Sequence, residues 1–129
     1  MEPIDYSKRT FNFYPTNGIV FAKCIDGRWT KPEFTNDFNL TLHCFAGVFH
    51  YAPSCFEGLK AYRGADDRVR LFRPDENAKR MFRTAQRTCM PPIPVETFLD
   101  CCKAVVRRNA EYVPPYGTGG SLYLRPVQR

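Results

Sequence analysis

The sequence predicts an α+β domain: an antiparallel sheet built from hairpins and packed with two amphipathic helices. Three observations carry this expectation. Asp26-Gly27 sits between two short apolar runs, a two-residue hairpin signal. Gly64-Ala65-Asp66-Asp67, residues that tolerate positive φ, separates Leu59-Lys60-Ala61-Tyr62 from Val69-Arg70-Leu71-Phe72. Beyond residue 73 the apolar period changes from two to about 3.6, which marks helix.

Residues 1–17 show no clear period and read as an irregular arm. Residues 19–25 form a strand pattern, Arg28-Trp29-Thr30 the return strand, residues 32–39 a loop, and residues 40–49 a strand followed by a turn. After the second hairpin, Pro74 suits a first helical position, and Asp75 and Glu76 complement the positive end of the helix dipole. Ala78, Met81, Phe82 and Ala85 then recur at i, i+3, i+4 and i+7, the stripe of a core-facing helix. Met90-Pro91-Pro92-Ile93-Pro94 breaks the chain, and a second helix runs from about residue 95 to 110 with Phe98, Leu99, Cys102, Val105 and Val106 on one face. Pro114-Pro115-Tyr116-Gly117 stops it ahead of a strand at residues 121–125. No internal repeat interrupts this order.

A chain of 129 residues with 43% hydrophobic content suffices for one packed domain. No stretch approaches the roughly 20 apolar residues that span a bilayer, and the first residues lack the basic head and apolar run of a secretion signal. These features predict a cytoplasmic protein without a membrane partner. The net charge of +6 arises from nineteen basic and thirteen acidic residues that are interspersed, which argues against a nucleic-acid partner. Six cysteines, at positions 24, 44, 55, 89, 101 and 102, make no Cys-x-x-Cys pair, and neither His43 nor His50 completes a zinc spacing. They read as reduced thiols, and no metal is expected.

Some side chains invite chemistry. Arg80, Arg83 and Arg87 form one cationic edge of the first helix, a pattern that fits a solvated face as well as an anion site. Strand alternation sends Ser121, Tyr123 and Arg125 to one face, with Leu122 and Leu124 opposite. A phenol and a fixed cation side by side suit a substrate with an apolar side chain and a carboxylate, although an edge-strand surface looks the same. Tyr51 and Phe56 read from pattern alone as packing aromatics. Gly117-Thr118-Gly119-Gly120 lacks the Gly-Lys-Ser/Thr of a P-loop and precedes a strand, so it carries little.

Four ordered segments give the sequence a family resemblance: Phe49-His50-Tyr51-Ala52-Pro53-Ser54-Cys55-Phe56-Glu57-Gly58-Leu59-Lys60-Ala61-Tyr62-Arg63-Gly64, then Leu71-Phe72-Arg73-Pro74-Asp75-Glu76-Asn77-Ala78-Lys79-Arg80-Met81, then Tyr112-Val113-Pro114-Pro115-Tyr116-Gly117-Thr118-Gly119, and finally Ser121-Leu122-Tyr123-Leu124-Arg125-Pro126. Together they resemble branched-chain amino acid aminotransferases, fold-type IV enzymes that use pyridoxal 5′-phosphate (PLP). The resemblance implies that residues 1–129 are the N-terminal small domain of a two-domain homodimeric enzyme, which moves the amino group of leucine, isoleucine or valine to 2-oxoglutarate. It implies that Arg80 contacts the PLP phosphate, that Phe56 walls the side-chain pocket, and that Tyr123 and Arg125 line the substrate site, Arg125 helping with the second carboxylate of glutamate. Tyr51 resembles a residue given to the partner subunit's pocket. The family's PLP-binding lysine lies in the larger C-terminal domain. The six lysines here (8, 23, 31, 60, 79 and 103) read as surface cations, so no catalytic residue is expected in this chain and the chain alone should be inactive.

The sequence departs from the family at Ala52-Pro53-Ser54-Cys55, where Pro53 stiffens the loop and Cys55 falls beside the pocket wall, and at Val127-Gln128-Arg129. Two other readings remain at this point. One is a related fold-type IV enzyme, a D-amino acid transaminase or a lyase; the other is a non-catalytic binding or structural product.

Overall fold

A computed structural model of the chain describes residues 4–129. Met1–Pro3 of the expected arm lie outside the described residues. The rest of that arm is irregular apart from a single 3-10 turn at Tyr6–Lys8, where an Asp5 carboxylate oxygen accepts from the Ser7 N–H.

The first strand pattern divides in two. β1 (Ile19–Phe21) pairs antiparallel with β4 (Glu33–Thr35), while β2 (Cys24–Ile25) pairs with β3 (Arg28–Trp29). Asp26 (φ 49°) and Gly27 (φ 76°) are both left-handed, as a two-residue turn of this type requires. Phe21 faces Glu33 and Cys24 faces Trp29, so Ala22-Lys23 opposes the longer Thr30-Lys31-Pro32. That extra residue is a bulge, placed where Pro32 has no N–H to give. The expectation of a loop over residues 32–39 is therefore corrected, because Glu33–Thr35 finds β1 as a partner.

Residues 40–49, expected to contain a strand, form none. Their backbone bonds are local: Ala46 N–H to His43 O at 2.8 Å, and Tyr51 N–H to Gly47 O at 2.8 Å around the four-residue helix α1 (Gly47–His50). β-branched and aromatic content makes a strand only where a neighbouring edge takes up its hydrogen bonds.

The central sheet joins β5 (Cys55–Phe56), β6 (Leu59–Arg63), β7 (Val69–Leu71), β8 (Leu122–Leu124) and β9 (Val127–Gln128). The β6–β7 hairpin turns as expected, with Asp67 at φ 60° and Gly64 N–H bonded to Arg68 O at 2.9 Å. β5 pairs with β9 and β6 with β8 in a single register, Cys55 opposite Gln128 and Leu59 opposite Leu124. The two pairings are one ladder interrupted at Pro126, which lacks a donor yet still accepts from Glu57 N–H at 2.9 Å.

Helices α2 (Pro74–Arg87) and α3 (Val95–Arg108) cover one face of this sheet. Cys55, Leu59, Ala61 and Leu124 meet Ala78, Met81 and Ala85 of α2 and Phe98, Cys102 and Val106 of α3 in one buried cluster. α3 stops two residues before the expected end because Asn109 turns inward. Its amide donates to Val105 O (2.8 Å) and Gly18 O (3.1 Å), and its carbonyl accepts from Asn17 N–H (2.8 Å), tying the arm to the helix end. On the opposite face Phe56 and Tyr62 stay exposed, and the Phe11 ring of the arm lies 5.0 Å from that of Tyr123. No described helix is long and apolar enough to cross a membrane.

Candidate active site

Alternation along β5 and β6 buries Cys55, Glu57, Leu59 and Ala61 on the helix side and turns Phe56, Lys60 and Tyr62 to the open side. Glu57 is thus a carboxylate among apolar neighbours, only 3% exposed. A lone buried charge would be costly, and α2 supplies its partners. Arg80 donates Nε–H to one Glu57 oxygen at 2.7 Å and Nη2–H to the other at 2.8 Å, while Asn77 Nδ2 donates to the same second oxygen at 2.9 Å. Burial pushes the Glu57 carboxyl up, but the hydrogen bonds from Arg80 and Asn77 and the charge of Arg80 outweigh it and hold it below its ordinary value. Glu57 in turn raises Arg80 above its ordinary value.

This geometry consumes only the side edge of the guanidinium. Of five N–H donors, Glu57 takes two, which leaves Nη1 and the far N–H of Nη2 as a parallel fork. The Arg80 side chain is 63% exposed, so the fork is accessible. It borders a shallow hollow of about 370 Å³ lined by Phe72, Arg73, Glu76, Asn77, Arg80 and Arg83. Three cations against one carboxylate make this hollow suited to an anion, and a two-pronged donor fits phosphate oxygens.

A second hollow of about 270 Å³ opens on the uncovered side, lined by Gly58, Leu59, Lys60, Tyr62, Phe72, Asn77 and Tyr123. Phe72 and Asn77 border both hollows. Register sets Tyr123 opposite Lys60 and leads Arg125 past Gly58. A Cβ on Gly58 would collide with the Tyr123 hydroxyl and come within 3.1 Å of its Cζ, so only glycine lets that phenol lie across the strand. Arg125 Nε–H donates to the Tyr123 hydroxyl at 3.1 Å, and its guanidinium lies 4.5 Å from the centre of the Phe56 ring. The phenol O–H and the Arg125 Nη groups therefore remain available to a carboxylate beside an aromatic wall.

The chain is 44% identical over 126 residues to the branched-chain-amino-acid aminotransferase of Haemophilus influenzae, covering 98% of this chain and 37% of that one. It is 49% identical over 99 residues to the cytosolic branched-chain-amino-acid aminotransferase of Rattus norvegicus, covering 77% of this chain and 24% of that one. The chain belongs to the branched-chain aminotransferase family. It spans about a third of the length of the curated relatives it matches. The crystal structure of a branched-chain amino acid aminotransferase from Thermobaculum terrenum in its PLP form shares the fold, with a TM-score of 0.57 and 19% identity over 88% of this chain and 33% of that one. No protein-family model matches the chain.

Of the residues expected from the aminotransferase resemblance, the structure brings Phe56, Tyr123 and Arg125 together on the open face and sets Arg80 at the adjoining hollow. Arg83 lines that same hollow, whereas Arg87, at the far end of α2, does not. Tyr51 stands apart: it follows α1, is 90% exposed and has His50 as its aromatic neighbour. Cys55 is corrected from a position beside the pocket wall, because alternation turns it into the core. Burial raises its thiol, with the Glu57 charge adding to the effect. Lys79 is engaged by Asp75 and Glu76, and Lys60, although exposed, lines the aromatic hollow. Sequence reasoning missed Glu57, Gly58, Phe72 and Asn77. A carboxylate at an inward position of an apolar strand was the available signal for Glu57, and through it for Asn77.

Proposed function

We propose that this chain is the N-terminal small domain of a two-domain branched-chain amino acid transaminase, which transfers the amino group of leucine, isoleucine or valine to 2-oxoglutarate with PLP as cofactor. The observation that carries this reading is the contiguity of a cationic fork at Arg80 with an aromatic, carboxylate-ready wall at Phe56, Tyr123 and Arg125, the two joined by Phe72 and Asn77. The donor set fits the cofactor's phosphate: Arg80 would hold it by its free fork, with Arg83 and Arg73 adding positive charge. When bound, PLP supplies the electron sink that lets the α-carbon of an amino acid lose its proton.

The chain's own residues position and select. Phe56 offers an apolar surface to a branched side chain, where each buried methylene contributes about 0.8 kcal/mol, enough to favour branched substrates but too little to separate leucine from isoleucine sharply. Arg125, steadied by Phe56 and the Tyr123 hydroxyl, holds its Nη groups toward the second carboxylate of glutamate. A C-terminal domain would supply the cofactor's lysine and cover the open sheet face, where Phe56, Tyr62 and Phe72 are exposed. Tyr51, 90% exposed beside His50, suits donation to a second subunit in a homodimer. Six free thiols suit a reducing, cytoplasmic setting.

In the whole protein, Arg125→Ala is expected to weaken glutamate by about 2 kcal/mol, some thirtyfold in kcat/KM, and leucine by much less. Equal losses for both substrates would remove Arg125 from this role.

A further inference from the structure

Glu57 is an unexpected neighbour for an anion site, since a carboxylate directly behind a phosphate-binding arginine opposes the incoming charge. We infer that Glu57, braced by Asn77, is a positioning residue that locks the side edge of Arg80 and thereby presets its free fork toward the cationic hollow for a phosphate monoester. The inference rests on the proposed phosphate role of Arg80 and adds the residue that makes that role geometric. Glu57 cannot turn away: it is 3% exposed, fixed on β-ladder backbone, and its second oxygen is shared between Arg80 (2.8 Å) and Asn77 (2.9 Å). Asn77 also reaches Gly58 O at 3.3 Å, so helix and strand are cross-linked at this point. Arg80 itself is mostly in solvent, where an unrestrained guanidinium would sample many rotamers. A held fork has already lost that freedom before the ligand arrives, which is the benefit of preorganisation. Two opposing effects, restraint and repulsion, thus meet at one side chain, and their balance is measurable.

The test titrates pyridoxine 5′-phosphate, which has no aldehyde and needs no lysine, into the 129-residue chain, with pyridoxine as the phosphate-free control. Binding is followed by NMR at the Arg80 Nε–H. In the unmodified chain that proton should be resolved and exchange slowly with water, and phosphate-dependent binding should appear. Glu57→Gln should raise Kd about tenfold and return the Nε–H to the averaged position of the exposed arginines. Arg80→Lys should not restore the site. If Arg80→Ala leaves binding intact, the phosphate role of Arg80 itself fails. If Arg80→Ala abolishes binding but Glu57→Gln leaves it unchanged or tighter, that role stands and the positioning role of Glu57 is overturned. An averaged, fast-exchanging Arg80 Nε–H in the unmodified chain, or no phosphate-dependent binding, overturns it without recourse to a variant.

Discussion

Replacing Arg80 by alanine should cost the domain about 2 kcal/mol at pH 7. The variant deletes both charge-assisted bonds to Glu57 (2.7 and 2.8 Å) and leaves a nearly inaccessible carboxylate with Asn77 as its remaining side-chain donor. Truncating one side of a buried ion pair costs about 3–5 kcal/mol when the site stays dry. Here the arginine head is 63% exposed, so water enters the space it vacates and solvent already screens the pair. The cost falls accordingly to about 2 kcal/mol, near that of one hydrogen bond to a charged group. The effect also has a pH signature. Glu57 is held below its ordinary pKa in the fold, so it contributes stability above the unfolded value, near 4.5, that is lost as pH falls through the lower folded value. Without Arg80, burial prevails and the carboxyl titrates higher, so protonation relieves the variant first. Urea unfolding should therefore show the gap between the two proteins near 2 kcal/mol at pH 7 and shrinking from above about pH 4.5 downward, as the variant's carboxyl takes up its proton, with equal m-values. A gap independent of pH, or one under about 0.5 kcal/mol at pH 7, would refute the argument that this pair carries the local electrostatics.

Two further substitutions probe the geometry. Gly58→Ala displaces the tip of a half-buried side chain, not backbone, so it should cost only about 1 kcal/mol by urea unfolding. Because the displaced group is the Tyr123 phenol that steadies Arg125, KM for leucine and for glutamate should both rise in the whole protein; unchanged KM values would show that the phenol does not need its place across the strand. Asn109→Ala removes three bonds to backbone at a side chain that is 2% exposed and should destabilise by about 2–4 kcal/mol. It also loosens the arm, which keeps its bonds from Asn17 to Arg108 O and from Tyr6 to Glu111 O, so proteases should cut within residues 9–17 faster than in the unmodified chain, and an unaltered cleavage rate would contradict the tether.

Where local chemistry decides the backbone, the sequence was readable. Pro74 and the acids after it begin α2, Asp26-Gly27 and residues 64–68 close their hairpins, and the stripe of Ala78, Met81 and Ala85 faces the core as its spacing requires. The elements that went unread depend on partners distant in the chain. β4 follows Pro32 and becomes a strand because β1 is there to receive it, and β9 exists only because Cys55 and Phe56 extend the ladder past Pro126. Among the candidate site residues, Tyr123 and Arg125 were visible as an alternating pattern, whereas Phe56 read as a packing aromatic; the family resemblance gave all three and Arg80 their expected roles. The pattern could not show that Glu57 would engage two of Arg80's five donors from inside the core. That contact joins residues 23 positions apart on different elements, and neither the strand period nor the helix period reports it.

The most direct measurement is a crystal structure of the whole protein loaded with PLP, read at one distance. The phosphate oxygens should lie about 2.7–2.9 Å from Arg80 Nη1 and Nη2 while Glu57 keeps the opposite edge. A phosphate seated more than about 4 Å from both atoms, or a Glu57 that has released Arg80 to reach it, would contradict the claim that this chain presents a ready-made clamp for the cofactor.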